Sequence, residues 1–369
     1  MNCVKKYNLK IGVCAHCFGS YKSGIGRYAW EIFLVLHDNF PNATFFLYSN
    51  KTIELPIKSD RIVLRQSADP ISKRMPVYFW LKFISPLYIF QDKLDFIWSP
   101  VTLTPLFYAK KSITTVHDLN HMLVKETMPW INALFFKFWF KSDVKKALSR
   151  VCNSQGTAVR MKQLYDFDSH EIVRPAVSEN LINIGNKQHK AVELATNKKF
   201  ILAVSTIEPR KNLLSLVKAY AELQQEGHVA DIDLVLVGKK GWKNKQLEAF
   251  IADSFKNTIH FTGFVDDETL ANYYKQASIF VMPSFYEGFG MPVAEALASG
   301  TPVLCSDTPE LRESGQNLCT YVPPTTAGIK NGIKFMLHDE GNDQHKKFEP
   351  IRWYTEGIKM VELIKNLSR

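Results

Sequence analysis

The chain has 369 residues, of which 46% are hydrophobic and 12% aromatic, and this size and composition favour two packed domains and exclude disorder over any long stretch. The formal net charge is +10, and all of it lies in residues 1–179, which hold 24 Lys and Arg against 14 Asp and Glu, whereas residues 180–369 hold 22 of each. A basic half beside a neutral half indicates an anionic partner for the first half: nucleic acid, anionic lipid or a phosphorylated acceptor.

The sequence predicts a cytosolic location. The longest apolar stretch, residues 75–90, is interrupted by lysine and proline and is shorter than the about 18 clean residues that a membrane-spanning helix needs. The basic start of the chain leads directly into a strand-like segment, which argues against a cleaved signal peptide. Six cysteines without paired spacing fit reduced thiols. The Cys14-Ala-His-Cys17 run leaves a metal or redox site open as the alternative to a strand end with ordinary thiols.

Strand-like and helical runs alternate along the chain. In the first half, a helical run at 25–38 accompanies strand-like runs at 10–15, 43–49, 60–66, 94–100 and 111–119. A polar segment at 181–199 is typical of a linker. The alternation then restarts with strand-like runs at 200–206, 232–238, 258–264, 278–284 and 301–307, and helical runs at 213–225, 243–255, 267–277 and 291–299.

This alternation predicts an α/β fold with two doubly wound, Rossmann-like domains and a ligand in the cleft where their strand ends face each other. The predicted domains are residues 1–180 and 181–349, and a closing helix at about 350–369 returns to the first domain.

The most specific cluster of candidate functional residues lies at 285–307. Glu287 precedes a Gly-Phe-Gly turn, Pro292 suits the first turn of a helix, and Gly300 suits its end, which places Glu287 on a loop and Glu295 within the helix. The start of that helix presents unpaired N–H groups and the positive end of the helix dipole. The pattern therefore predicts an anion site, such as one for phosphate.

Three further clusters follow predicted strands. Gly24 and Gly26 would let the backbone approach a ligand, with a plain tight turn as the alternative. His117 and Asp118 follow a buried strand. Glu208, Arg210 and Lys211 follow another, with Asn212 as the predicted cap of the next helix. Two cations at a strand end can neutralise a diphosphate without a metal, and solvated surface charge is the alternative.

These clusters together resemble the retaining glycosyltransferases of family four, which have the GT-B fold. The resemblance covers nearly the full chain and rests on the Glu287 to Glu295 signature, on EPRKN at 208–212, TGFV at 262–265, VHDL at 116–119 and GIGRY at 24–28. It implies a metal-independent enzyme without a cofactor, whose second domain binds a nucleotide sugar and whose first domain binds a saccharide acceptor.

The resemblance also implies roles for single residues. Glu295 would hold the ribose of the donor, Glu287 and the Gly288–Gly290 backbone the transferred sugar, and His117 would lie near its reactive carbon or 6-hydroxyl. The residues facing the diphosphate and the base would be Arg210, Lys211, Gly24, Gly26, Met291, Val293, Gly263, Phe264 and Val265, with Phe289 in the sugar-binding turn. One departure is that Ser205 and Thr206 stand where many family members carry a phosphate-binding arginine.

The donor and acceptor follow from the resemblance alone. EPRKN with this N-terminal layout is similar to the mannosyltransferases of bacterial O-antigen and lipopolysaccharide synthesis, so GDP-mannose and a lipid-linked or growing saccharide are expected. UDP-glucose, UDP-galactose, UDP-N-acetylglucosamine or dTDP-rhamnose would fit the same residues. A nucleotide-sugar epimerase and a catalytically silent assembly subunit are the rival functions.

The basic first half has two further interpretations. Lys137, Lys141 and Lys145 recur every four residues on an otherwise apolar helical run at 130–148. They either extend to solvent from a core helix or mark a face that rests on anionic lipid, together with the aromatic segment 75–90. Nucleic-acid binding is disfavoured because the positive charge is scattered and no recognition helix or stacking motif is present in the sequence.

Overall fold

The structure is a computed structural model that describes residues 8–20, 24–53, 55, 57–67, 69–127, 130–184, 195–241, 245–255, 257–338 and 347–368. It contains two compact units, one formed by Met1–Pro175 with Ile351–Arg369 and the other by Ala176–Pro350. The chain enters the second unit a few residues before the predicted boundary at 180. Residues 185–194 of the predicted linker lie outside the described residues.

The first unit is built on a seven-stranded sheet in which every paired strand is parallel. Its strands are β1 (Lys10–Cys14), β2 (Thr44–Ser49), β3 (Ile62–Gln66), β4 (Phe96–Ser99), β5 (Ser112–Val116), β6 (Ser149–Cys152) and β7 (Glu171–Ile172). Their order is β3-β2-β1-β4-β5-β6-β7, so the winding direction reverses between β1 and β4.

Eight α-helices belong to the first unit as described. They are α1 (Gly24–Asn39), α2 (Pro70–Arg74), α3 (Val77–Phe79), α4 (Ser85–Asp92), α5 (Asn120–Leu123), α6 (Trp130–Lys146), α7 (Gln155–Tyr165) and, after the second unit, α15 (Trp353–Leu367). A π-helical turn, Trp80–Ile84, joins α3 to α4. Helix α15 packs closely on α1, because a Cβ on Gly357 would lie 2.6 Å from Val35 Cβ.

The second unit is built on a six-stranded parallel sheet of order β10-β9-β8-β11-β12-β13. Its strands are β8 (Lys199–Val204), β9 (Ile232–Val237), β10 (Ile259–Gly263), β11 (Ile279–Met282), β12 (Val303–Ser306) and β13 (Thr320–Val322). Its helices are α8 (Glu179–Ile184), α9 (Leu213–Gln225), α10 (Lys245–Ser254), α11 (Asp267–Gln276), α12 (Met291–Ala298), α13 (Pro309–Ser314) and α14 (Thr326–His338).

Helices cover both faces of the second sheet. Ile201 and Ala203 of β8 pack into one buried apolar cluster, whereas Phe200 and Leu202 pack into another on the opposite face. A parallel strand buried on both sides needs a continuous apolar run, which is the feature that identified β8 in the sequence. The predicted α/β fold with two doubly wound, Rossmann-like sheets is confirmed.

The sequence did not reveal the outer strands β6, β7 and β13. They have four, two and three residues, and their sequences, SRVC, EI and TYV, contain no sustained apolar run. Their hydrogen bonds to a neighbouring strand hold them in the sheet instead.

Two sequence alternatives can be compared with the described residues. Cys14 and Cys17 are buried, and burial raises the pKa of the Cys14 thiol to about 12, which fits ordinary protonated thiols. Within the described ranges, no group of three or more His, Cys, Asp or Glu side chains is arranged to hold a metal ion. Among those same residues, no helix is both long enough and apolar enough to traverse a bilayer.

Candidate functional site

The candidate site of the second unit forms where β8 and β11 lie side by side. The strand order reverses between them, and in open parallel sheets ligands bind at such a reversal, beyond the carboxyl ends of the strands. The loops that follow these two strands are joined by the backbone, because the Phe285 amide donates to the Arg210 carbonyl over 2.9 Å. The sequence signatures on the two loops therefore meet in one place.

Asn212 also joins these loops, and it does so in a way that the sequence did not predict. Its side-chain amide donates to the Pro283 carbonyl over 3.0 Å and to the Pro324 carbonyl over 2.9 Å. It occupies the position before α9 in a left-handed conformation (φ 57°), and its side chain makes no capping hydrogen bond to that helix. Asn212 is the N-cap residue of α9 by position, as predicted, but its side chain fixes the neighbouring loops instead of bonding to the helix.

Four charged side chains form the centre of the site, and we call them the four-charge cluster: Glu208, Arg210, Lys211 and Glu287. One oxygen of Glu287 accepts from Lys211 Nζ over 2.7 Å, and the other accepts from Arg210 Nη1 over 2.9 Å. Arg210 also donates to Glu208 over 2.9 Å and to the Tyr286 carbonyl over 2.8 Å. The two positive and two negative charges of the cluster thus sum to zero.

Burial and pairing act in opposite directions on Glu287. Burial would raise the pKa of its carboxyl group, but Arg210 and Lys211 outweigh that effect and lower the pKa to about 2. The pKa of Lys211 is lowered by burial and by the neighbouring Arg210, against the opposing effect of Glu287. Glu287 is therefore ionised at neutral pH, and its two oxygens are held by the two cations.

The turn before α12 requires glycine at Gly290. This residue has φ +97°, and a Cβ there would lie 2.4 Å from Leu311 Cδ2. Phe289 is buried, and Pro292 falls in the first turn of the helix, as predicted. The Val293 amide donates to the Gly290 carbonyl over 3.0 Å, so it is already engaged at the start of α12, and the prediction that it faces a diphosphate stays a prediction.

Glu295 lies in α12, as predicted, and is held from α11. The Tyr274 hydroxyl donates to Glu295 Oε2 over 2.9 Å. Burial and the neighbouring carboxylate raise the pKa of Tyr274 well above its usual value, so it remains a donor. Tyr274 was not singled out in the sequence, and no motif marks it. The predicted contact of Glu295 with a ribose stays a prediction, and one of its oxygens is already engaged.

Gly263 is the last residue of β10, and Phe264 and Val265 follow it; β9 separates β10 from β8. Backbone hydrogen bonds connect these strand ends in steps, from the Gly238 amide to the Gly263 carbonyl over 2.8 Å and from the Ser205 amide to the Val237 carbonyl over 2.9 Å. Phe264 is exposed, and Lys239 Nζ lies 5.0 Å from the centre of its ring. These residues lie at the same end of the sheet as the four-charge cluster.

Ser205 and Thr206 directly follow β8, at the place where the resemblance implies an arginine in many family members. The Ser205 hydroxyl oxygen is buried and has no hydrogen-bond partner among the described residues, whereas Thr206 is exposed. A buried hydroxyl without a partner is costly and is a candidate donor to a ligand.

The predicted site residues of the first unit lie in the first turn of α1 and directly after β5. Gly24 and Gly26 form the first turn of α1, and neither has a positive φ. Two residues further on, the Tyr28 ring meets His117 edge-on at 4.7 Å. His117 Nε2 lies 2.6 Å from the Pro100 carbonyl, an acceptor only, so this nitrogen carries the proton.

Burial lowers the pKa of His117 to about 4, against the opposing hydrogen bond to Pro100. The imidazole is therefore neutral at pH 7 and offers its Nδ1 lone pair to a donor. A role in contacting a sugar hydroxyl is compatible with this state, whereas a role as a permanent cation is not.

Comparison with known proteins finds a family match that falls almost entirely within the second unit. Residues 185–350 match the sequence model of the family described as glycosyl transferases group 1. The O-antigen chain mannosyltransferase B of Escherichia coli is 28% identical over 219 residues, 57% of this chain and 57% of that protein. The serotype-specific mannosyltransferase WbdA of Escherichia coli is 30% identical over 248 residues, 62% of this chain and 29% of that protein. The chain thus spans little more than half of the first relative and less than a third of the second.

Solved structures match over nearly the whole chain. A sucrose-phosphate synthase from Thermosynechococcus elongatus has a TM-score of 0.70 at 17% identity, covering 97% of this chain and 99% of that one. WaaG, a glycosyltransferase involved in lipopolysaccharide biosynthesis, has a TM-score of 0.64 at 14% identity, covering 94% of both chains. The GT-B fold expected from the resemblance is confirmed, residues 185–350 match the glycosyl transferases group 1 model, and the chain is similar in sequence to bacterial O-antigen mannosyltransferases.

Proposed function

We propose that the protein is a glycosyltransferase that moves a hexose from a nucleotide diphosphate sugar to a saccharide acceptor. The observation that carries this proposal is the four-charge cluster at the strand reversal of a group 1 domain. There, a carboxylate that stays ionised lies between two cations and beside the start of a helix. The carboxylate suits sugar hydroxyls, and the cations and helix start suit a departing diphosphate.

Bond breaking between the sugar and the diphosphate develops negative charge on the leaving group. Fixed positive groups that face this charge lower the barrier most, and they need no metal. Lys211 Nζ has a single hydrogen-bonded partner among the described residues, Glu287, so further N–H groups are available for phosphate oxygens. The Ser205 hydroxyl is our candidate for the group that donates a hydrogen bond to the phosphate, in place of the arginine that the resemblance implies in many family members.

We propose mannose from GDP-mannose as the transferred group, with retention of its anomeric configuration. The support is the similarity to mannosyltransferases of O-antigen synthesis. The proposed acceptor is a growing or lipid-linked saccharide in cell-surface polysaccharide synthesis, reached at a membrane surface.

A nucleotide panel gives the first test. Thermal stability of the full chain is measured with GDP, UDP, dTDP and their sugars, each with and without EDTA. A ligand at a hundred times its dissociation constant adds about 2.7 kcal/mol to stability. We expect the largest rise with GDP-mannose, unchanged by EDTA. A larger rise in thermal stability with a UDP or dTDP sugar would mean that this sugar, and not GDP-mannose, is the donor. The lack of any rise would contradict the proposal.

Product analysis gives the second test. NMR of the product formed from GDP-mannose and a saccharide acceptor assigns the new anomeric proton. An α-linked product supports retention, because the donor is α-linked, and a β-linked product contradicts it. A changed nucleotide sugar formed without acceptor would identify an epimerase instead.

A further inference from the structure

A helical segment of the first unit carries its apolar residues outward. From α3 through the π-helical turn to α4, the exposed positions are Phe79, Phe83, Leu87, Phe90 and Gln91. Their spacing places the four apolar residues along one side of the segment. A helix that faces water normally has polar residues on that side and apolar residues on the buried side. This segment has apolar residues on its exposed side as well as on its buried side, where Trp80, Leu81 and Ile89 lie in the core.

Two charged side chains, one on this segment and one on α6, are buried beneath it. Lys82 is 1% exposed and Asp143 of α6 is 4% exposed, and the two form an ion pair. Asp143 also accepts a hydrogen bond from the Thr104 amide over 3.0 Å, and Lys82 Nζ lies 4.6 Å from the centre of the Trp139 ring. Because Asp143 is the sole acidic residue in the sequence of α6, the exposed side of that helix bears no negative charge.

The exposed side of α6 combines apolar and basic residues. Leu134 and Phe138 are exposed, and Lys137, Lys141 and Lys145 share their side of the helix at intervals of three and four. Phe138 is 67% exposed. The lysines therefore extend to solvent, next to exposed apolar side chains.

Ring contacts connect these elements into one surface. Phe83 lies 4.9 Å from Phe79 and 5.9 Å from Trp139 of α6, measured between ring centres. Phe90 lies 5.6 Å from Tyr108, whose neighbour Phe107 is 78% exposed. We call this surface the docking face. Its members are Phe79, Phe83, Leu87, Phe90, Phe107, Leu134, Phe138, Lys110, Lys111, Lys137, Lys141 and Lys145.

We propose that the docking face rests on a bilayer that contains anionic lipid. Its aromatic and leucine side chains would enter the interfacial region, and its lysines would meet the anionic headgroups. A second copy of the chain is the poorer partner, because a twofold contact would bring the same lysine-bearing surfaces together. The proposal deepens the proposed function, since it would bring the first unit to a lipid-linked acceptor.

Flotation of the full chain with vesicles tests the proposal. One vesicle preparation is phosphatidylcholine alone, and the other is equal parts phosphatidylcholine and phosphatidylglycerol. We expect flotation with the second preparation at low salt, reduced by high salt and weak with the first. Failure to float with either preparation at low salt would overturn the proposal.

Paired variants separate the two contributions. Lys137→Glu with Lys141→Glu should reduce partitioning onto anionic vesicles by at least roughly thirtyfold, because each lysine near an anionic surface contributes about 1 kcal/mol, or about fivefold. Leu87→Ser with Phe138→Ser should reduce it as well, and high salt should then abolish the remainder. Lys275→Glu and Phe335→Ser, which change an exposed lysine and an exposed apolar residue of the second unit, should leave flotation unchanged.

Two controls keep the outcomes distinct. If the Leu87 and Phe138 variant instead abolishes a concentration-dependent dimer seen by light scattering, the face joins copies of the chain and the proposal is wrong. Transfer to a short, water-soluble acceptor is measured in parallel and should be unaffected by both pairs. Flotation without transfer would contradict the proposed function alone, and transfer without flotation would contradict the docking face alone.

Discussion

Lys211 shows how a single side chain can serve two states of the site. In the structure it supports Glu287 at 2.7 Å, and during transfer its remaining N–H groups would face the departing phosphate. Removal of one preorganised donor of this kind costs on the order of a hundredfold in rate. We expect Lys211→Ala to lower kcat by about that factor, and Lys211→Arg to recover part of it.

The matched control is Lys218→Ala, which removes an exposed lysine from the neighbouring helix α9. Initial rates at saturating donor measure both variants. Turnover of Lys211→Ala close to that of the wild type would show that this lysine does not face the leaving group.

Glu287 predicts a dependence of stability on pH. Its pKa in the folded protein is about 2, below the value of about 4.3 for a free glutamate, so folding favours the ionised form. This contribution is fully present above the unfolded pKa and is lost as the pH falls through the folded pKa. At about 1.4 kcal/mol per pKa unit, it amounts to roughly 3 kcal/mol at neutral pH.

Glu287→Gln should therefore be less stable than the wild type at pH 7, and the difference should shrink between about pH 4.5 and pH 2. Urea unfolding at several pH values measures it. A difference that is constant across this range would mean that the carboxylate charge does not contribute, and that the loss comes from packing alone.

At the scale of elements, α12 depends on the glycines at its two ends. Gly290 has φ +97° and lies against Leu311, whereas Gly300 has φ +77° and no atom within 4 Å of the position that a Cβ would take. Gly300→Ala therefore tests backbone strain alone, at about 1–2 kcal/mol. Gly290→Ala adds a steric clash and should cost more. Urea unfolding compares the two variants, and equal losses would contradict the close packing of Leu311.

Sequence patterns revealed most elements because those elements have strong local signals. The buried run of β8 and the Pro292 to Gly300 helix are fixed by short-range preferences, so both were predicted. The contacts of Asn212 with Pro283 and Pro324 were not, because they join positions far apart in sequence. The burial of Lys82 and Asp143 was not predicted for the same reason. They pair across a long distance in sequence, and the sequence alone does not show which side of each helix is buried.

At the scale of the whole molecule, α15 completes the first unit after the chain has formed the second. Gly357→Val should disturb this packing, because Val35 Cβ lies 2.6 Å from the Cβ position. We expect the first unit to lose about 1–3 kcal/mol, as for other overpacked sites. Glu362→Ala, at an exposed position of the same helix, is the control and should have little effect.

Tryptophan fluorescence measures this loss, because six of the seven tryptophans, all except Trp242, fall in the ranges that form the first unit. Nucleotide should still stabilise the second unit of Gly357→Val, and hydrogen exchange in that unit measures this stabilisation. If Gly357→Val lowers the stability of the first unit and also abolishes stabilisation of the second unit by nucleotide, the two units do not respond separately.

The position of α15 also bears on the order of events during synthesis. A ribosome releases Ala176–Pro350 before Ile351–Arg369, so the nascent chain can complete the second sheet and its helices while the first unit still lacks the helix that covers α1. Until translation passes residue 367, the surface of α1 around Val35 has no cover from α15. That surface is where we expect a chaperone to engage the growing polypeptide.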